Sequence, residues 1–155
     1  MNTIEITKDN AIKAFKEADA KGKALLSTLL GEETFTKAVN GKIETFEEAL
    51  EHQGINEADF EASCKGLEKD EIAYKKIKII AKALNNGWTP NWDNSNEYKY
   101  YPYFDMRSGV GFSHSGYVSW STITAVGSRL CYKSSDLAIY AGKQFESIYK
   151  DFLTL

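Results

Sequence analysis

Apolar residues recur every three or four positions through the first part of the chain. The spacing over residues 12–30 predicts a long helix that begins after a cap at Thr7 or Asp9 and ends at Gly31. Glycine interrupts helical order, so a bend is expected near Gly22. The N-terminal segment is therefore expected to be helical.

Shorter helices follow. Thr45 and Glu48 form a capping box, which opens a helix expected to end before Gly54. Another short helix is expected over residues 56–62, and an amphipathic one over 70–85, stopped by the Asn-Gly pair that follows it. Everything up to this point has helical periodicity.

After Gly87 the period changes from about 3.6 to two, which is typical of strands. Turns are expected at Ser108–Gly109 and Ser115–Gly116, and Pro102 favours an edge position because it has no N–H to donate. A final helix is expected to begin at Ser134 or Ser135. The predicted strands are residues 97–106, 110–114, 117–124 and 126–133.

The pattern thus predicts an α+β fold: N-terminal helices, an aromatic-rich antiparallel sheet of three to four strands, and a C-terminal helix packed on the sheet. With 155 residues, 43% of them hydrophobic and 26% charged, the chain is expected to form a single domain over 1–155. A boundary near Gly87 would separate a helical part, 1–87, from a sheet-and-helix part, 88–155.

Charge and cysteine content limit the function classes. A net charge of −3 and a pI near 5.5 argue against a protein whose whole surface binds nucleic acid. Cys64 and Cys131 stand alone and are expected to be reduced thiols, although a disulfide between them remains open. No signal peptide or membrane-spanning run is evident, so a cytoplasmic location without membrane association is expected.

The sequence offers little catalytic chemistry. His114, flanked by serines, is a possible general base and a possible partner for a Cys131 nucleophile, but a turn-proximal polar residue is the simpler interpretation. His52 fits a helix C-terminus. No catalytic residue, metal site or cofactor is predicted, although one loop carries oxygen ligands without the spacing of a calcium loop: Asp93, Asn94, Asn96 and Glu97.

The aromatic stretch between Trp88 and Trp120 carries the main functional hypothesis, because aromatic rings can either fill a core or form a binding surface. Alternation along the first strand separates two sets. The expected core set is Tyr98, Tyr100, Phe104 and Trp120. The candidate binding set is Trp92, Tyr101, Tyr103 and Arg107, with Lys99 and Arg129 as basic neighbours.

Exposed rings with basic neighbours suit both single-stranded nucleic acid and protein partners. From Trp88 onward the chain holds six basic and six acidic residues, so this half is nearly neutral. A groove that follows phosphates is normally more basic. A protein partner of unknown identity therefore ranks first, nucleic-acid binding second and a small enzyme third; the oligomeric state is left open.

Several segments carry a family resemblance: ALNNGWTPNW (83–92), NEYKYYPYF (96–104) and the ending from residue 126 to 153, with weaker echoes in TFEEAL (45–50) and ITKDNAIKAF (6–15). They are similar to a family of uncharacterised proteins carried by prophages and other mobile elements of anaerobic gut bacteria. The resemblance covers roughly the C-terminal half. It implies a genomic setting in a mobile element, which an accessory role would fit, and it supplies no activity and no catalytic residues.

Overall fold

The computed structural model describes residues 6, 8–30, 43–107 and 112–154. The chain divides into two compact units, Met1–Lys42 and Ile43–Leu155, which are described separately. The single-domain organisation stays a prediction. The helices between residues 46 and 85 and the sheet after Gly87 lie in the same unit, Ile43–Leu155.

The first unit contains two helices where one bent helix was expected: α1, Lys8–Glu17, and α2, Ala20–Leu30, which pack on each other. The break precedes Gly22. Asp19 causes it locally, because its side-chain Oδ1 accepts a hydrogen bond from the Gly22 N–H at 2.8 Å and so caps the start of α2. The expected cap at Thr7 and stop at Gly31 lie outside the described residues.

The second unit begins with helices α3, Phe46–His52, and α4, Glu57–Ser63. The predicted capping box is confirmed: the Glu48 N–H donates to Thr45 Oγ1 at 3.1 Å and the Glu48 carboxylate accepts from the Thr45 N–H. Asn56 caps α4 through its side chain, whose Oδ1 accepts a hydrogen bond from the Ala58 N–H at 2.9 Å.

Helix α5, Lys69–Asn85, matches the predicted amphipathic helix. It ends because Asn86 adopts a left-handed conformation, φ 47°, and Gly87 follows at φ 83°. The predicted stop at the Asn-Gly pair is confirmed.

Strands β1, Lys99–Asp105, and β2, Ser113–Trp120, form an antiparallel sheet. The described residues therefore form two strands rather than three or four. The turn expected at Ser115–Gly116 is wrong: both residues lie within β2, where the register shifts opposite Tyr103 and Phe104 and creates a β-bulge. Gly116, at φ 157°, supplies a backbone conformation that other residues rarely adopt.

The expected fourth strand, 126–133, is reduced to one bridge, in which Tyr132 pairs with Tyr100. Elsewhere in this segment no residue pairs with a strand that the structure describes, and Ser128 Oγ instead accepts a hydrogen bond from the Trp92 Nε1–H. The expected turn at Ser108–Gly109 lies outside the described residues.

The chain ends with two consecutive helices where one was expected: α6, Ser135–Gln144, capped by the Ser134 side chain, and α7, Glu146–Leu153. Helix α6 packs on both strands, and α7 packs on α5. The break at Phe145 separates the two helices, and each packs on a different neighbour. The predicted packing of a C-terminal helix on the sheet is confirmed for α6.

The core of the second unit lies between α5, α6, α7 and one face of the sheet. Phe104 is buried there as expected, with its ring 4.9 Å from the Tyr149 ring, and Tyr100 is half-buried against the same core. The expected burial of Tyr98 is wrong, because that residue precedes β1 and its exposed ring lies at the edge of the core, 6.5 Å from the Tyr100 ring. Trp120 is half-buried on the other face, against Tyr101.

Candidate functional site

The sheet face opposite the helices carries most of the predicted binding residues, and two loops cover part of it. Lys99 is 0% exposed. Its ammonium donates to the backbone carbonyls of Asn91, Glu97 and Ser121 and lies 3.2 Å from the Glu97 carboxylate. The prediction that Lys99 is a surface cation is therefore wrong, because these oxygens enclose its charge inside the protein.

The Glu97 carboxylate completes this lysine cage, defined as Lys99, Asn91, Glu97, Ser121 and Trp92. It accepts a hydrogen bond from the Asn91 N–H at 2.7 Å, and this bond with the neighbouring lysine lowers the pKa of Glu97. The Trp92 ring centroid lies 5.2 Å from the Lys99 ammonium. The cage joins loop 88–97 to the residue after β2.

Trp92 has a structural contact on its other side. Its Nε1–H donates to Ser128 Oγ at 2.8 Å, and its side chain is half-buried. The ring therefore links loop 88–97 to segment 121–131 and is engaged by Lys99, so little of it is available to a ligand.

Tyr101 is 3% exposed, so its predicted surface position is also wrong. Its hydroxyl shares a 2.6 Å hydrogen bond with Thr124 Oγ1, and its ring lies 5.5 Å from the Trp120 ring. Burial raises the pKa of Tyr101. The physical reason is the path of segment 121–131, which folds over this face instead of extending the sheet as a strand.

The far end of β1 matches the prediction better. Tyr103 is 56% exposed and Met106 is 53% exposed. Arg107 is exposed too, and its guanidinium binds both carboxylate oxygens of Asp105, with Nε 2.9 Å from Oδ1 and 3.0 Å from Oδ2. We call Tyr103, Met106 and Arg107 the Tyr103 surface.

The Asp105–Arg107 pair changes the electrostatics of the Tyr103 surface. The Arg107 guanidinium lowers the pKa of Asp105, and the carboxylate raises the pKa of Arg107. The surface therefore presents a neutralised pair and not a free cation. It borders a depression of about 480 Å³ lined by Tyr103, Phe104, Asp105, Met106, Arg107 and Ser115.

Arg129 is exposed as predicted, but it lies elsewhere. It neighbours Ser128, which contacts Trp92 near the start of β1, whereas Tyr103 and Arg107 lie at the end of that strand. The structure therefore does not bring the predicted basic residues together into one patch.

Sequence reasoning missed a row of tyrosines on the helix-facing side, beyond the part that α6 covers. The Tyr100 ring centroid lies 6.5 Å from that of Tyr98 and 5.6 Å from that of Tyr117, which is 45% exposed. We call these three residues the tyrosine ladder. In the sequence, alternation along the first strand is the one signal that places Tyr98 and Tyr100 on the same face. The contact with Tyr117 depends on the register between the two strands.

His114 and Cys131 do not form a catalytic pair. His114 packs against Pro102 and Gly142 on the helix-facing side; its buried Nε2 has no hydrogen-bond partner, and burial lowers its pKa. Cys131 lies on the opposite side near Lys99 and Tyr101, and burial raises the pKa of its thiol to about 11. A protonated thiol is a poor nucleophile.

The loop oxygens considered for a cation support the loop itself. Asn94 Oδ1 accepts from the Asn96 N–H at 3.0 Å, and Glu97 belongs to the lysine cage. In the described part of the chain, no three histidine, cysteine or acidic side chains are grouped to hold a metal ion. Cys64 and Cys131 are both free thiols.

Comparisons with protein-family models, curated proteins and solved structures find no match to this chain. Within the described ranges, no helix has the length and apolar character needed to cross a membrane.

Proposed function

We propose that this chain is a noncatalytic, cytoplasmic protein-binding accessory protein of a prophage or mobile element, and that it binds its partner through the Tyr103 surface. The supporting observation is the exposure of Tyr103 and Met106 beside a neutralised Asp105–Arg107 pair. Tyrosine, methionine and arginine are enriched in protein interfaces, where large side chains bury area at the centre of the contact.

Charge placement favours a protein partner over single-stranded nucleic acid. Of the basic residues that the nucleic-acid alternative requires, Lys99 is enclosed and Arg107 is held by a carboxylate. Arg129 is exposed as well, but it lies near the opposite end of β1 from Arg107. Binding to a phosphate backbone gains affinity from several cations acting together, so this arrangement gives that alternative little support.

The experiment compares partner capture by the full chain and by a double variant, Tyr103→Ser with Met106→Ser, in lysate from the host bacterium. Ile123→Ser is the matched control, because Ile123 is also an exposed apolar residue but lies on segment 121–131. We expect the double variant to lose a specific captured protein while its circular dichroism and melting temperature stay unchanged. The control variant should retain that protein.

Equal capture by the double variant and the control would contradict the assignment to the Tyr103 surface. Titration with short single-stranded DNA and RNA tests the alternative, read through the fluorescence of the tryptophans. Saturable quenching that weakens steeply with salt and depends on Arg107 and Arg129 would replace the protein partner with nucleic acid.

A further inference from the structure

The direction of the backbone groups in β1 follows from its bridge to Tyr132. The Tyr100 N–H donates to the Tyr132 carbonyl at 3.0 Å, and the Tyr100 carbonyl accepts from the Tyr132 N–H at 2.8 Å. Both groups of Tyr100 therefore point away from β2. Because alternate residues of a strand point to opposite sides, Lys99 and Tyr101 direct their backbone groups toward β2.

The register carries this alternation into β2. Trp120 and Val118, which face Lys99 and Tyr101, direct their backbone groups to β1. Tyr117 and Ser119 alternate with them, so they direct one N–H and one C=O each toward the outer edge of the sheet. Among the residues that the structure describes, no strand pairs with β2 on that side.

This outer edge has little protection against pairing over Gly116–Trp120, whereas nearer the start of β2 the His114 N–H donates to the Glu146 carboxylate at 2.8 Å. Natural edge strands are usually blocked by lysine, other charges or proline, and β2 has none of these over Ser113–Trp120. The bulge at Ser115–Gly116 interrupts one end. The regular open edge therefore extends over Gly116 to Trp120, with Val118 at its centre.

We infer that the occupant of this edge is β2 of a second copy of the chain, paired antiparallel about a two-fold axis at Val118. In that register Tyr117 faces Ser119 of the second copy, and Ser119 faces its Tyr117. The outward groups of the two pairs form four hydrogen bonds and avoid the bulge. An uncharged strand meets its own copy without like-charge repulsion, although the chain carries a net charge of −3.

The tyrosine ladder gives this pairing a side-chain contact. Within one chain Tyr100 faces Ser119, and its ring contacts Tyr117, two residues away on the neighbouring strand, at 5.6 Å. In the dimer Tyr117 faces Ser119 of the second copy across a hydrogen-bonded pair, and the second copy's Tyr117 is its diagonal neighbour on the same face. The two ladders join into one row, which buries the exposed area of Tyr117.

Sedimentation equilibrium and amide hydrogen exchange test the dimer on the purified full chain. Over about 10 µM to 1 mM we expect the average mass to rise from that of one chain to that of two. A dimer absent even at about 1 mM would have a binding free energy weaker than about −4 kcal/mol. The Tyr117 and Ser119 amides should become protected from exchange over the same concentration range in which the average mass rises. The Val118 and Trp120 amides point to β1 and should be protected at every concentration.

Two substitutions at one position separate backbone pairing from ring contact. Tyr117→Pro removes an outward N–H that β1 does not use and should abolish the dimer; Tyr117→Ala keeps the N–H and should only weaken it. If Tyr117→Pro fails to fold, Tyr117→Lys replaces it, because an edge lysine blocks pairing and a half-exposed position accepts it.

A single-chain mass at every concentration, or a dimer that Tyr117→Pro and Tyr117→Lys leave intact, would overturn the proposal. A monomer whose Tyr117 and Ser119 amides become protected only on adding a captured partner would assign the edge to that partner instead. The Tyr103 and Met106 substitutions should not change the self-association, so failure of this inference is distinguishable from failure of the proposed function.

Discussion

Replacing Gly142 with alanine tests how closely α6 approaches the sheet. A Cβ at this position would lie 2.8 Å from Pro102 Cβ and 2.9 Å from His114 Nε2, with His114 Cδ2 nearer still. Gly142 is itself buried, and its neighbour Ala141 is 0% exposed. The substitution therefore requires α6 to move or the imidazole to rotate within a packed core.

Two effects of opposite sign decide the magnitude. Alanine is favoured over glycine in a helix interior by about 1 kcal/mol, whereas overpacking a core costs about 1–3 kcal/mol. Proline is rigid and His114 is wedged between Phe104 and the helix, so we take the upper end of that cost. The expected net loss is about 2 kcal/mol, or about 4–8 °C in melting temperature.

Urea unfolding followed by tryptophan fluorescence is the assay, because all three tryptophans lie in the second unit and report on it alone. A double-mutant cycle with His114→Ala supplies the control: Gly142→Ala should cost less once the imidazole is removed. If Gly142→Ala instead stabilised the second unit by about 1 kcal/mol, the helix propensity of alanine would account for the whole effect. Helix α6 would then lie farther from the sheet than described. If Gly142→Ala lowered the free energy of unfolding equally with and without His114→Ala, His114 would not be the residue that clashes with the added methyl group.

Three other predictions concern buried polar groups. Lys99→Met should destabilise the second unit by about 3 kcal/mol, since breaking a buried charge network costs this much; an unchanged urea midpoint would contradict the lysine cage. Asn85→Ala should cost about 2–4 kcal/mol in the same assay, because the buried Asn85 side chain donates to the Cys131 carbonyl and accepts from the Lys133 N–H, and both partners would be left unpaired. Burial lowers the pKa of His114 below 6.5, so as the pH falls through 6.5 the unfolded chain binds the proton first and the free energy of unfolding decreases until the folded pKa is reached. His114→Gln should remove that slope above the range where carboxylates titrate, and an identical slope in both proteins would refute the assignment.

Local patterns predicted the helices of the second unit well. The capping box at Thr45, the cap at Asn56 and the stop at Asn86 each depend on residues within about four positions of one another. The same locality explains why the break between α1 and α2 was missed, because Asp19 competes with a continuing apolar pattern.

The candidate binding residues were predicted less well, because their exposure depends on segments distant in the sequence. Tyr103 and Arg107 are exposed as expected. Lys99 and Tyr101 alternate with the helix-facing residues as predicted, yet both are buried. Alternation fixes which sheet face a side chain is on, but it contains no information about what covers that face.

The sequence by itself determined the capped helix starts at Thr45 and Ser134, the stop at Asn86, the change from helical to strand period and the near neutrality of the aromatic half, because these depend on neighbouring residues or on composition. Only the tertiary structure decided which rings are exposed. Contacts such as Lys99 with Ser121 and Trp92 with Ser128 join residues 22 and 36 positions apart. Such contacts form when the whole unit packs, because closing the chain segment between two distant residues costs conformational entropy. The interactions within a short local segment do not offset that cost.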